Sequence, residues 1–134
     1  MSVVIDASYA IHISAVQTGE SSTPRAISLV TQGLIAPTIF WHEVANALRN
    51  MRLRRTTTDA AAAAAIRSLK AMRIALEPAT PEIERVIALS DQHQITVYDA
   101  AYLDLALRSG VPLVTRDKGL FRAAKAADLE VEGL

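Results

Sequence analysis

The chain has 134 residues, 51% of them hydrophobic, enough for a single domain spanning 1–134 and too apolar for a disordered chain. It contains no cysteine, which excludes disulfides, thiolate-held zinc, iron–sulfur clusters and thiol catalysis and is compatible with the cytoplasm. Lysine and arginine number 14 and aspartate and glutamate 14, so any nucleic-acid binding has to come from a local patch rather than from global charge.

The chain opens with Val3-Val4-Ile5, a short β-branched apolar run expected to form a buried strand. It runs into Asp6 without a basic or long apolar leader, and no stretch is long enough to span a membrane, so neither an export signal nor a membrane anchor is expected. A helix is expected from about Ser8 to Gln17. A second opens at Thr23-Pro24, a cap followed by proline at the first helical position, and closes at Gly33. Leu34–Ala36 predicts the next strand and Ile39 to about Arg54 a long helix. The alanine run Ala60–Ala65 continues at helical spacing through Ile66, Leu69 and Met72, with Thr58 or Asp59 as its cap. Ile74–Leu76 predicts a third strand. Thr80-Pro81-Glu82 opens a helix, again with proline at its first position. Asp99 to Arg108 is helical and stops at Gly110. Leu113–Thr115 is a fourth strand, Asp117 to Ala127 a helix, and Leu129–Val131 a fifth strand. This alternation predicts an α/β fold of three layers, with a central parallel sheet of about five strands flanked by helices.

In open parallel sheets, ligands bind beyond the carboxyl ends of the strands. Asp6 follows the first strand at once, and Asp117 lies two residues past the fourth. Asp99 opens a helix, and Glu43 lies in the first turns of the Ile39–Arg54 helix. At about 100° per residue, Phe40, Val44, Ala47, Leu48 and Met51 make an apolar stripe on that helix. Glu43 borders the stripe, with Asn46 and Asn50 within about 60° of it. Taken singly, each aspartate reads more naturally as a helix cap. Gathered on one rim they read differently. Like charges about 5 Å apart repel by roughly 3 kcal/mol per pair at an effective dielectric of about 20. Such a cluster requires cations or raised pKa values. All-oxygen ligands favour Mg²⁺ or Mn²⁺, and a metal-bound water can attack a phosphodiester without a side-chain nucleophile. No glycine-rich phosphate loop, HExxH or GxSxG motif occurs.

Four stretches carry a resemblance: Val4-Ile5-Asp6-Ala7-Ser8, Glu43-Val44-Ala45-Asn46-Ala47-Leu48, Tyr98-Asp99-Ala100-Ala101-Tyr102-Leu103 and Leu113-Val114-Thr115-Arg116-Asp117-Lys118-Gly119-Leu120. In order, spacing and strand–helix context they resemble the signature regions of PIN domains of the VapC-toxin type, over about Val3 to Val131. The resemblance implies a Mg²⁺- or Mn²⁺-dependent endoribonuclease that cuts single-stranded RNA, forms homodimers and is inhibited by a small VapB-like antitoxin. It places the catalytic and metal-binding carboxylates at Asp6, Glu43, Asp99 and Asp117, and supporting hydroxyls at Ser8 and Thr115; Asn46 joins them as a supporting amide. Some relatives carry a further acidic residue after the fourth aspartate; here Lys118-Gly119 follows, which leaves one metal or two open.

Other residues are read as background. Asp104 lies roughly 140° around its helix from Asp99 and is expected to be a rim or surface charge. His12, His42 and His93 lack metal-ligand spacing and are expected at the surface or in the core. Trp41 suits base stacking and packing about equally. Arg49, Arg52, Arg54 and Arg55 form the one basic cluster and, with Arg116, are candidate contacts to RNA or to acidic groups of an antitoxin. The helices between about Ser22 and Met72 are apolar enough to expect a partner or second copy over part of that surface. Two other readings remain open: a catalytically silent PIN-type binding module, and a different metal-dependent phosphoryl-transfer enzyme such as a DNA nuclease or phosphatase.

Overall fold

The computed structural model describes residues 1–14 and 22–134. In chain order the elements are β1 (Val3–Ile5), α1 (Ala7–Ile13), α2 (Ser22–Gln32), β2 (Leu34–Pro37), α3 (Phe40–Leu53), α4 (Asp59–Ala71), β3 (Ala75–Glu77), α5 (Ile83–His93), α6 (Val97–Ser109), β4 (Leu113–Val114), α7 (Lys118–Ala126) and β5 (Val131–Glu132). Among the described residues the strands form one parallel sheet in the order β3-β2-β1-β4-β5. The expected three-layer α/β fold with about five parallel strands is what the chain adopts.

β1 is central, and its three residues are buried on both faces, which is why they read as an unbroken apolar run. Val3 pairs with Leu34 of β2, and Val4 with Leu113 of β4. The chain therefore lays β2 and β3 on one side of β1 and returns to put β4 and β5 on the other. The crevice between β1 and β4 is the topological switch point, where parallel sheets form ligand sites. Helix α6 packs on β1, β2 and β4, with α5 and α7 against it; α1 packs on α3 and α2. Tyr102, Phe40, Ile5, Leu29 and Leu69 are the largest fully enclosed side chains.

Several boundaries differ from expectation for physical reasons. The first helix is described to Ile13, and its expected end at Gln17 lies outside the described residues. α2 begins at Ser22, so Thr23 falls within it rather than ahead of it and Pro24 is its third residue rather than its first; the expected cap at the Thr23 side chain lies outside what is described. Pro81 precedes α5 instead of opening it. Glu82 is the N-cap with extended backbone (φ −68, ψ 110), and proline's φ suits that extended geometry as well as a helix. Thr96, not Asp99, caps α6: its hydroxyl accepts the Asp99 N–H at 3.1 Å. β3 is shifted one residue along, to Ala75–Glu77. The last strand begins at Val131 because the Leu129 N–H is spent closing α7, on Ala124 O at 2.9 Å.

Asp104 is not a surface charge. It is 0% exposed, and its two carboxylate oxygens accept from Arg85 Nε (2.5 Å) and Arg108 Nε (2.8 Å). The helical rotation correctly put it away from Asp99. What lies on that side of α6 is α5 rather than water, and the buried charge persists because two guanidiniums compensate it.

Candidate active site

The four acidic residues reach one cleft of about 570 Å³, lined by Asp6, Glu43, Asp99 and Asp117 together with Ser8, Asn46 and Asn50. Asp6 and Asp117 come from the turns after β1 and β4 and flank the switch point. Glu43 comes from the first turn of α3 and Asp99 from the first turn of α6. Among the described residues, no lysine or arginine lines the cleft.

Asp6 is 4% exposed and held on both oxygens. Its Oδ1 accepts the Tyr9 N–H (2.9 Å), capping α1, and the Ser8 hydroxyl (2.7 Å). Its Oδ2 accepts the Thr115 hydroxyl at 2.5 Å. Both hydroxyls in turn accept backbone donors of the turn after β4: Arg116 N–H reaches Ser8 Oγ at 2.9 Å and Asp117 N–H reaches Thr115 Oγ1 at 3.0 Å. Ser8 and Thr115 thus relay two backbone dipoles onto one carboxylate and tie the β1 and β4 turns together. Asp117 caps α7, its Oδ1 accepting the Leu120 N–H at 2.8 Å. The capping reading and the cluster reading are therefore both true of Asp6 and Asp117, whereas Asp99 caps nothing.

Burial pushes the Asp6 carboxyl up to about 6, against the lowering hydrogen bonds from Thr115, Tyr9 and Ser8. Asp99 is likewise pushed up to about 6, first by burial and then by the charges of Asp117, Asp6 and Glu43. Each of the other three carboxylates thus acts on Asp99, as convergence requires.

This donor set suits a divalent cation. Its four carboxylates offer only oxygen and are strongly anionic, and among the described residues no lysine or arginine lines the cleft to offset them. Among the described residues no three acidic or histidine side chains close on a single point tightly enough to hold an ion. An ion here would be held by fewer carboxylates and complete its shell with water, as Mg²⁺ habitually does.

Among the other expected site residues, Asn46 lines the cleft. Arg49, Arg54 and Arg55 are exposed and outside its lining, and Arg52 pairs with Asp59 at 3.6 Å. The Arg116 guanidinium is turned to Gly133 O at 2.7 Å rather than into the cleft. Trp41 packs edge-on to Phe40 (centroids 5.1 Å apart, planes at 80°) and against the core, which favours packing over base stacking.

Sequence reasoning passed over three cleft residues. His42 lines the cleft from α3, beside Glu43. Tyr98 is 57% exposed at its rim. Tyr102 is 1% exposed, and its hydroxyl faces Glu43, though among the described residues it makes no hydrogen bond of full geometry. Burial first, and Glu43 next, push that phenol's pKa up, so it stays a neutral donor. Its position three residues after Asp99 on one helix was the signal available.

A sequence model of the PIN domain matches residues 3–126. No curated protein sequence matches the chain significantly. Among solved structures, the chain is similar to "Crystal structure of PAE2754 from Pyrobaculum aerophilum", with a TM-score of 0.70 and 26% identity, over 92% of this chain and 86% of that one.

Proposed function

The chain belongs to the PIN domain family, whose members are typically nucleases, and from that premise we propose that it is a metal-dependent endoribonuclease acting as the toxin of a type II toxin–antitoxin system. The observation that carries the nuclease reading is the convergence of Asp6, Glu43, Asp99 and Asp117 on one cleft that, among the described residues, no lysine or arginine lines. The choice of RNA, of a VapB-like antitoxin and of a homodimer rests on the likeness of the four acidic stretches to VapC toxins.

In this reading Asp6 and Asp99, the two carboxylates with raised pKa, hold Mg²⁺ or Mn²⁺, with Glu43 and Asp117 completing the anionic wall. A bound divalent ion supplies a water of lowered pKa and neutralises charge on the phosphate. The chain's own residues do the positioning. Ser8 and Thr115 fix both oxygens of Asp6, so it cannot rotate away. Tyr102 offers a neutral donor next to Glu43, while Asn46 and Asn50 offer amides further along the wall.

The test is cleavage of a panel of single-stranded and structured RNAs and of single- and double-stranded DNA, with Mg²⁺, Mn²⁺ or EDTA, beside an Asp6→Asn variant. Metal-dependent RNA cutting that the variant loses is expected. Cutting of DNA alone would make the chain a DNA nuclease. No cutting by folded, partner-free protein would make it a silent binding module.

A further inference from the structure

The cleft extends beyond the acidic cluster along α3. Glu43, Asn46, Ala47 and Asn50 all line it, so it follows one face of that helix over about two turns. At about 100° and 1.5 Å per residue, Asn50 lies roughly 20° from Glu43 and about 10 Å further along. The next position on that face is Arg54, roughly 20° to the other side and about 16 Å from Glu43. Helical register survives to that point: Arg54 keeps right-handed backbone (φ −83, ψ 0), and its N–H donates to Asn50 O at 3.0 Å. The neighbouring arginines face elsewhere. Arg52 is about 180° from Glu43 and pairs with Asp59; Arg49 is about 120° away; Arg55 leaves the helix at φ 58. Arg54 is exposed, and among the described residues its guanidinium has no ion pair and no hydrogen bond.

We propose that Arg54 is a phosphate-binding subsite for the substrate strand: single-stranded nucleic acid leaves the acidic cluster along α3, passes Asn46 and Asn50, and is held at Arg54 by a phosphodiester a few nucleotides from the scissile one. This rests on the nuclease reading and gives its substrate a track. The reason is electrostatic. With no lysine or arginine among the described residues of the cleft lining, the anionic strand draws its affinity from cations beyond the acidic wall. On the helix face that forms the cleft wall, Arg54 is the first cation met, and its planar fork suits a phosphate. The side chains of Asn46 and Asn50 make no hydrogen bond among the described residues, which leaves their donors and acceptors open to base edges on the way. An acidic protein segment would be drawn to all four arginines alike; only a ligand that continues from the cleft singles out Arg54.

The experiment measures binding of a labelled RNA of about 12 nucleotides and of a trinucleotide by fluorescence anisotropy, across a salt series, in an Asp99→Asn background that prevents cutting. Arg54→Ala and Arg54→Glu are compared with Arg52→Ala. The expected result is an approximately tenfold loss of affinity for the longer strand with Arg54→Ala and more with Arg54→Glu. The slope of log K against log salt should fall by about 0.7, the value for one contact to a single strand, the trinucleotide should be unaffected, and Arg52→Ala should change little. An equal loss for both lengths, or no difference between Arg54→Ala and Arg52→Ala, overturns the proposal. So does Arg54-dependent binding of a polyglutamate peptide with RNA binding unchanged, which would assign the cluster to an acidic protein partner. Cleavage by the otherwise unaltered chain is assayed on the same strands. Absence of cutting with Arg54-dependent binding sinks the nuclease reading alone; cutting with binding indifferent to Arg54 sinks the track alone.

Discussion

Asp6 caps α1 and also fronts the cleft, whereas Asp99 caps no helix and, among the described residues, has only Thr96 as a hydrogen-bonding side chain, which makes the two informative in different ways. Replacing Asp6 disturbs three hydrogen bonds, whereas Asp99→Asn removes a charge and alters one contact with Thr96. We expect Asp99→Asn to lower metal-dependent cutting by about two orders of magnitude while raising the melting temperature of the metal-free protein at pH 8; a lower melting temperature would show that Asp99 stabilises the fold instead. The pH dependence has a definite sign. Asp6 and Asp99 are raised from 3.8 to about 6, so the folded chain holds these protons more tightly than the unfolded one. The stability this contributes is full below about pH 4 and is lost as pH rises through about 6. Without metal, the melting temperature should therefore gain from these two groups on acidification from pH 7 to pH 5, and the gain should shrink in Asp99→Asn. Tyr102→Phe removes a buried hydroxyl that, among the described residues, makes no hydrogen bond of full geometry, and should leave stability unchanged or higher by up to about 1 kcal/mol in urea unfolding.

At the scale of elements, two junctions tie together the helices and strands that carry the site. One is the clamp of Asp104 on α6 between Arg85 of α5 and Arg108, on the side of α6 away from the cleft. Asp104→Ala strands two guanidiniums. It should cost about 3 kcal/mol in chemical denaturation, near the lower end for a broken buried pair because both arginines reach solvent. The other is the close passage of the chain after β5 over β4. A Cβ on Gly133, where φ is 127, would overlap the Thr115 carbonyl oxygen, which belongs to backbone. Gly133→Ala should shift Thr115, loosen its bond to Asp6, and lower both the unfolding midpoint and metal affinity. Unchanged metal affinity in a folded Gly133→Ala protein would show that the junction does not govern the site.

For the whole molecule, the sheet order sets where charge accumulates. With β1 at the centre and β4 returned beside it, the aspartates that follow these strands end up across the switch point, and the first turns of α3 and α6 complete the ring. The folded chain thus concentrates repulsion that the unfolded chain disperses. A ligand that binds only the folded form stabilises it by mass action. Adding Mg²⁺ or Mn²⁺ should raise the melting temperature, and by more at pH 8 than at pH 5, where protons occupy Asp6 and Asp99. A monovalent salt at equal ionic strength should not reproduce the effect; if it does, the cleft is only screened and holds no ion.

From the sequence alone, the local elements and the candidate acids were legible, because they rest on short-range signals: β-branched runs for β1 and β4, helical spacing for α3 and α4, and an aspartate straight after a strand. Those signals failed where a residue's conformation was shared by two structures, as at Pro81, or where a backbone donor was claimed by a distant turn, as at Leu129. Tertiary structure alone decided the strand order that makes β1 and β4 neighbours, since pairing between distant strands leaves no local trace. It decided that the far side of α6 is interior, so that Asp104 is a buried clamp, because burial depends on which helix covers which. It also decided that Tyr102 and His42 face the acidic cleft, and that Arg54, among four neighbouring arginines, lies on the face that continues it, because helix α3 keeps its register to that residue.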